Sequence, residues 1–411
     1  MYTHPVIWQQ IFFPGLATAL VTMLLTQPVI RLAHRTRAMD IPGGRKRHAR
    51  TTPRLGGIAI VAGIVAVLGP ALALFTPGAF QALRAEDFLG FSFAAGLIFC
   101  LGLADDLLRL RAAYKLVVQI AAATIIVSMG WQFHTLRLPI EGSFELGVLA
   151  PILSVLWIVG VTNAINFIDG LDGLAAGIVA IIGGSLLMLA ILQESPETVV
   201  VTSCIVGACL GFLRHNRSPA RIHMGDSGSL MLGFLLATIS LRSSPSVKAS
   251  AALAILVPVL ALGLPVFDSL LVMWYRFLRG HRTMDRFARM FHADRAHLHH
   301  LLLDHKTERR RVILILFSMA ALFCGMALLV AASNSWKMGV GFLVVEFVAV
   351  VLVRRIGLTA EARKLAGRRL DEISERATPR KRTSRTERCD RQTELPPLSD
   401  ELEGIRSPFL H

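Results

Sequence analysis

Apolar residues in this chain come in long runs, broken by short polar segments. The runs fall at residues 6–30, 55–76, 88–104, 114–131, 147–166, 174–192, 198–213, 228–242, 249–275, 312–332 and 336–353. A helix needs about 20 predominantly apolar residues to cross a bilayer. The pattern therefore predicts an all-α fold, a polytopic integral membrane protein with about eleven transmembrane helices. Several runs are short, 228–242 being the weakest, so ten is the alternative count. The first run has no basic flank before it and no small-residue cleavage site after it, so it reads as a retained span.

The polar segments set the orientation. Residues 31–54 carry Arg31, Arg35, Arg37, Arg45, Lys46, Arg47, Arg50 and Arg54, and the loop 276–311 is equally basic, whereas the alternate loops carry almost no Lys or Arg. Positive loops stay in the cytoplasm. The N-terminus is predicted outside and, with an odd number of spans, the C-terminus inside, where Arg354 and Arg355 agree. The chain divides into a membrane catalytic domain, 1–355, and a polar cytoplasmic tail, 356–411. Within the tail, 360–377 suits a charged surface helix and the rest has the composition of a disordered segment.

Composition agrees with this picture. Of 411 residues 54% are hydrophobic, and mean hydropathy is +0.57. The net charge of +15 belongs to cytoplasmic loops and lipid head groups, not to nucleic acid, because no basic stripe lies on a soluble domain. The five cysteines are scattered, and four lie in apolar runs. They form neither a disulfide framework nor a zinc-ribbon spacing.

Candidate chemistry gathers at run ends. Residues 163–177 read Asn-Ala-Ile-Asn-Phe-Ile-Asp-Gly-Leu-Asp-Gly-Leu-Ala-Ala-Gly. Asn163, Asn166, Asp169 and Asp172 thus recur every three residues at the end of a membrane helix. Groups of this kind are expensive in lipid and mark function, and a helix cap needs one Asp or Asn, not four. Hard oxygen donors at this density suit Mg²⁺ better than a soft metal.

Four further clusters accompany it. Asp105 and Asp106 close the third run, followed by Lys115 and Gln119 at i, i+4 spacing. The pair is either a working site or a solvated helix end beside Arg109 and Arg111, and Lys115 alone also reads as a head-group anchor. Asp226 stands between Gly225 and Gly228 at a helix start, placed for a metal and a phosphate or as a simple cap. Asp268 lies in an apolar run beside Pro265, which kinks its helix, so ligand contact and structural hydrogen bonding remain open. Asp294, Arg295, His297, His299 and His300 crowd into one basic loop. They suit phosphate recognition, with a zinc site or a solvated loop as rivals. By the orientation above, these clusters share the cytoplasmic side, which describes one interfacial site and not a path across the bilayer.

The Asp-Asp pair, Asn-x-x-Asn-x-x-Asp-Gly-x-Asp-Gly-Leu, Gly-Asp-x-Gly-Ser and His-x-His-His occur here in the order of a known family. The chain resembles the MraY/WecA-like polyprenyl-phosphate N-acetylhexosamine-1-phosphate transferases over about residues 10–355. The resemblance implies transfer of a phospho-sugar from a UDP-sugar to undecaprenyl phosphate, with release of UMP and a need for Mg²⁺, for which Mn²⁺ often substitutes. It implies Asp226 and Asn166 as metal ligands, and Asp105, Asp106, Asp169 and Asp172 as catalytic carboxylates. Lys115, Asn163, Arg295, His297, His299 and His300 are implied as substrate-binding residues. Arg50-Thr-Thr-Pro-Arg-Leu-Gly-Gly matches a family pattern expected to help hold phosphate.

The Asp-Arg-Ala-His-Leu-His-His loop and the span count favour the GlcNAc-1-phosphate branch, which opens cell-envelope polysaccharide synthesis. The phospho-MurNAc-pentapeptide branch is the alternative. A bacterial inner-membrane location and a homodimer are further expectations. From other classes, a transporter would need midplane polar residues and repeats, and a non-catalytic lipid binder would not need clustered oxygen ligands. Direct attack by the lipid phosphate is expected, with a two-step route through a covalent Asp as the minority reading.

Overall fold

The structure, a computed structural model, describes residues 4–40, 51–76, 85–133, 135–137, 143–145, 147–242, 251–278, 297–304 and 308–377. Each apolar run is helical. The helices are α1 (His4–Arg35), α2 (Gly56–Phe75), α3 (Ala85–Leu108), α4 (Ala112–Ser128), α5 (Leu149–Ile168), α6 (Leu174–Leu192) and α7 (Pro196–Asn216). They continue with α8 (Asp226–Arg242), α9 (Ala251–Ala261), α10 (Gly263–Leu278), α11 (Leu298–Asp304), α12 (Arg309–Ser333) and α13 (Trp336–Ala377). Two antiparallel strand pairs join them, β1 (Met39–Asp40) with β2 (Thr52–Pro53) and β3 (Thr135–Arg137) with β4 (Ser143–Glu145). Residues 1–361 form one unit. A second unit, 362–411, is described only through the last turns of α13.

The chain is therefore an all-α, multi-pass membrane protein. Eight described helices are long and apolar enough to span a bilayer, or nine if α9 and α10 make one broken span. The run 249–275 is not one straight helix: α9 and α10 meet at 83°. Pro265 has no N–H to give to Ala261 O, and the Cys324 Sγ–H lies 3.6 Å from that carbonyl instead.

Helix α8 is the centre of the bundle. Every residue from Asp226 to Leu241 is buried, as a helix apolar on all sides must be. It packs against α2, α3, α5 and α6. Its 17 residues reach only about 25 Å at 1.5 Å per residue. With protein on every side, its length need not match the bilayer. Helix α13 is its opposite. Val344, Val345, Phe347, Val348 and Leu352 are exposed, whereas Glu346 faces inward. That is the pattern of an outer helix with a lipid face.

Candidate active site

The site forms where helix ends meet. The β1–β2 pair delivers Arg54 to the start of α2, and the next segment is clamped by backbone. Pro53 O accepts from His223 N–H at 2.8 Å, while Gly56 and Gly57 N–H donate to His223 O and Met224 O at 3.0 and 2.8 Å. This places Arg54 beside the N-terminus of α8. Gly225 turns the chain into that helix at φ +75°, and a Cβ there would lie 2.6 Å from Asp106 Oδ2. Only glycine meets both demands.

Asp106 is saturated. Its Oδ1 accepts from Asp226 N–H at 2.8 Å and pairs with Arg54 Nε at 3.0 Å. Its Oδ2 accepts from the Ser227 amide at 3.0 Å and the Ser227 hydroxyl at 2.7 Å. Asp226 takes Arg54 Nη2 on Oδ1 at 2.7 Å and Lys115 Nζ on Oδ2 at 2.9 Å. Lys115 also reaches Asp105 Oδ2 at 3.2 Å, and Asp105 Oδ1 accepts from Leu110 N–H at 2.8 Å. Arg54 and Lys115 therefore stitch α2, α3, α4 and α8 together. Both cations are 22% exposed at the side chain, so they remain open to an incoming anion.

The Asn–Asp signature closes α5 against this network. Asn166 donates to Ser229 Oγ at 2.8 Å. Asp169 lies beyond the last turn of α5, near the Gly225 N–H. Burial pushes the Asp169 carboxyl up to about 7, the Asp226 charge adding to that and Arg54 opposing it. At Arg54, burial disfavours the charge, but Asp226 and Asp106 outweigh it and the net shift is upward. Asn163 and Gln119 exchange amide hydrogen bonds of 2.6 and 3.3 Å. Asp172 stands apart from the network: its Oδ2 accepts from Ala220 N–H at 3.2 Å, and its Oδ1 lies 4.0 Å from His223 Nε2.

The histidine segment packs against the other side of the signature. His297 stacks on Phe167 at 5.1 Å between ring centroids. His299 lies against Gly170, where a Cβ would collide with its ring. Burial, then the charges of His300 and His297, lower the His299 pKa well below the ordinary value. Asp268 takes the structural role of the two left open: it binds His297 Nδ1 at 2.9 Å and Leu298 N–H at 3.0 Å. Arg295 and Asp294 lie outside the described residues.

The donor chemistry suits a hard divalent cation. Among the described residues, Asp105, Asp106 and Asp226 pair with the cations Arg54 and Lys115, and Asp169 adds a further carboxylate beside them, a set rich in carboxylate oxygen. Asn166, whose amide reaches Ser229 three residues past Asp226, could add its side-chain oxygen to the Asp226 carboxylate. Among the described residues no three His, Cys, Asp or Glu side chains converge to enclose a metal, and both Asp226 oxygens hold cationic side chains. A metal would compete with Arg54 and Lys115 for Asp226. Sequence reasoning did not single out Arg54, Ser227 or Ser229. Gly-Asp-x-Gly-Ser and Thr-Pro-Arg-Leu-Gly-Gly held the signal, because both strings meet at the start of α8.

Comparison with known proteins now decides the family. Residues 88–244 match the model of glycosyl transferase family 4. A probable undecaprenyl-phosphate N-acetylglucosaminyl 1-phosphate transferase of Bacillus subtilis is 34% identical over 338 residues, 81% of this chain and 89% of its own length. The chain belongs to the polyprenyl-phosphate N-acetylhexosamine-1-phosphate transferases of that family. A decaprenyl-phosphate N-acetylglucosaminephosphotransferase of Mycobacterium tuberculosis is 35% identical over 78% of this chain and 81% of its own length. A phospho-N-acetylmuramoyl-pentapeptide-transferase of a Mycobacterium species is also 35% identical, over 57% of this chain and 76% of its own length. This family member is thus a membrane-embedded glycosyltransferase; Asp105, Asp106, Lys115 and Asp226 lie within the matched segment, and Arg54 precedes it.

Proposed function

We propose that the protein transfers GlcNAc-1-phosphate from UDP-GlcNAc to undecaprenyl phosphate, releasing UMP, at the cytoplasmic face of a bacterial inner membrane. The observation that carries this reading is the Arg54–Asp106–Asp226–Lys115 network at the head of α8. The two relatives named for N-acetylglucosamine transfer match more of this chain than the pentapeptide transferase does, which supports the sugar. The product suits the first membrane step of an envelope polysaccharide.

The reaction joins two anions, so charge repulsion is the main obstacle. Lys115 and Arg54 are partly open cations beside carboxylates that hold them in place, ready to meet the phosphate of the lipid acceptor. Asp226 with Asn166 would hold Mg²⁺, or Mn²⁺, which when bound neutralises the diphosphate and favours UMP as leaving group. A phosphate monoester has a second pKa of about 6 and is largely dianionic at pH 7, so the acceptor needs little help to lose a proton. Asp106 accepts four contacts and Asp105 three, so neither is a free nucleophile. This favours direct attack by the lipid phosphate oxygen over a covalent aspartyl intermediate. Asp169 is the carboxylate best suited to take a proton near pH 7.

The test is UMP release by detergent-purified protein supplied with undecaprenyl phosphate and UDP-GlcNAc, with Mg²⁺ or with EDTA, beside Asp226→Asn. The proposal expects UMP that depends on the metal and disappears in the variant. UMP only with UDP-MurNAc-pentapeptide would reassign the sugar. No UMP from folded protein with any UDP-N-acetyl sugar would overturn the reading.

A further inference from the structure

Asp268 is 2% exposed, and His297 is 5% exposed. One carboxylate oxygen, Oδ2, lies 2.9 Å from His297 Nδ1. The other, Oδ1, accepts from Leu298 N–H at 3.0 Å and lies 3.7 Å from the buried guanidinium of Arg354. Arg354 in turn lies 5.7 Å from the Tyr275 ring. Asp268 is thus held from three directions, and a carboxylate so placed can only accept. Its geometry selects an imidazole with the proton on Nδ1. Among the described residues, the hydrogen bond that orients the His297 ring runs through Nδ1 to Asp268. The imidazole also meets the ring of Phe167, the residue after Asn166, at a tilt of 33° with centroids 5.1 Å apart.

We propose that Asp268 is a positioning residue for the transfer reaction: it fixes the tautomer and the ring plane of His297 so that Nε2 is offered to the sugar-phosphate donor beside the signature. Arg354 keeps the Asp268 charge in place from the far side. This rests on the transfer reading above and adds to it a residue 29 positions from the histidine. Pro265 is part of the device. The break at the head of α10 swings Asp268 out of a straight span and toward the short helix α11.

Two measurements test it on the full chain in detergent. The first uses ¹⁵N-histidine labelling, with the His297 signals identified by their loss in His297→Ala. Wild type should show a proton on His297 Nδ1, and Asp268→Asn should lose it. A wild-type His297 bare at Nδ1, or an unchanged Nδ1–H signal in Asp268→Asn, overturns the proposal, and neither result depends on activity. The second is a double-mutant cycle on UMP release. Asp268→Asn alone should lower kcat about 10–100-fold, the range found for outer partners of functional histidines. In the His297→Ala background it should add less than about 2-fold, because residues acting as a unit are not additive. A full additional loss in that background would reduce Asp268 to a structural residue. Should wild type release no UMP at all, the transfer reading fails, while the spectra still decide the Asp268–His297 pair.

Discussion

Toward α3, α4 and α8 the Asn–Asp signature meets a wall of charge: Asp105, Asp106 and Asp226 interleaved with Arg54 and Lys115. Toward α10 and α11 it meets rings: Phe167 on His297, His297 on His299, His299 on His300, with one carboxylate behind them. The first wall keeps its cations partly open, so its pairs can re-form around an anion or a metal. In the second, His297 and His299 are buried, Asp268 holds His297, and His299 stays neutral near pH 7. The difference separates two tasks. Under the proposed reaction, one wall would manage the charge of two phosphates and the other would fix where the sugar-bearing group lies.

The heaviest blow to the charged wall is removal of its hub. Asp106→Ala takes one of two close carboxylate partners from Arg54 and strands three donors of residues 226 and 227. Breaking a buried ion pair costs about 3–5 kcal/mol. A thermal-unfolding midpoint well below wild type is expected, with UMP release below detection. Asp106→Asn keeps the shape and loses the charge. It should stay folded and still lose about 10²–10³-fold in kcat, the magnitude of one missing electrostatic partner. An Asp106→Asn enzyme of near-normal rate would show that Asp106 serves only the fold.

Next in size is Lys115. Lys115→Met removes one charged partner from both Asp105 and Asp226. Hydrogen bonds to charged groups are worth about 1.5–3 kcal/mol, so kcat/KM should fall about 10–100-fold. The same change frees Asp226 Oδ2. Half-saturation by Mg²⁺ should therefore move to a lower concentration, even as the rate falls. A higher Mg²⁺ requirement in this variant would break the idea that lysine and metal compete for Asp226.

Much of this site is legible in the sequence, for a physical reason. Carboxylates and amides cannot be left in lipid without partners, so Asp105, Asp106, Asn166, Asp169 and Asp226 announce themselves in apolar surroundings. Arg54 is harder to see. It sits among eight basic residues that topology alone explains, and its partner Asp226 is 172 positions away. For Asp268 the kink at Pro265 signals a polar neighbour without saying which. Eleven spans follow from apolar length, but apolar length cannot tell lipid from protein. Helix α8 is apolar because it is buried on all sides, and the run at 249–275 breaks because Pro265 withholds an N–H.

A smaller effect belongs to pH. The Asp169 carboxyl is pushed up to about 7, against about 3.9 in an unfolded chain. Between those values the folded protein holds the proton more tightly than the unfolded chain. Stability from this group is full below about pH 4 and is lost as pH rises through about 7. Asp169→Asn removes that slope. The variant's unfolding midpoint should therefore gain on wild type between pH 5 and 8 (buffer range, about three units). The rate of wild type should rise across the same window if ionised Asp169 takes a proton. A wild-type rate that is flat from about pH 5 to 8 would exclude that role.

The mildest change tests where the charged wall ends. Gln119 lies one helical turn beyond Lys115 on α4 and is 2% exposed. Its amide pairs with Asn163, which also donates to Val159 O at 2.8 Å. Sequence resemblance places Asn163 on substrate, whereas these contacts tie it to its own bundle. Gln119→Leu keeps the volume and removes both inter-helix hydrogen bonds. A net loss of about 1 kcal/mol is expected, read as a shift of a few degrees in the unfolding midpoint. If Asn163 only braces α5 against α4, kcat and KM stay within about 2-fold of wild type, since the Asn166–Ser229 contact one turn along still holds the end of α5. If Asn163 touches the donor, KM for the UDP-sugar rises beyond that range beside the same loss of stability. The KM readout therefore decides whether the site begins at Asn163 or at Asn166.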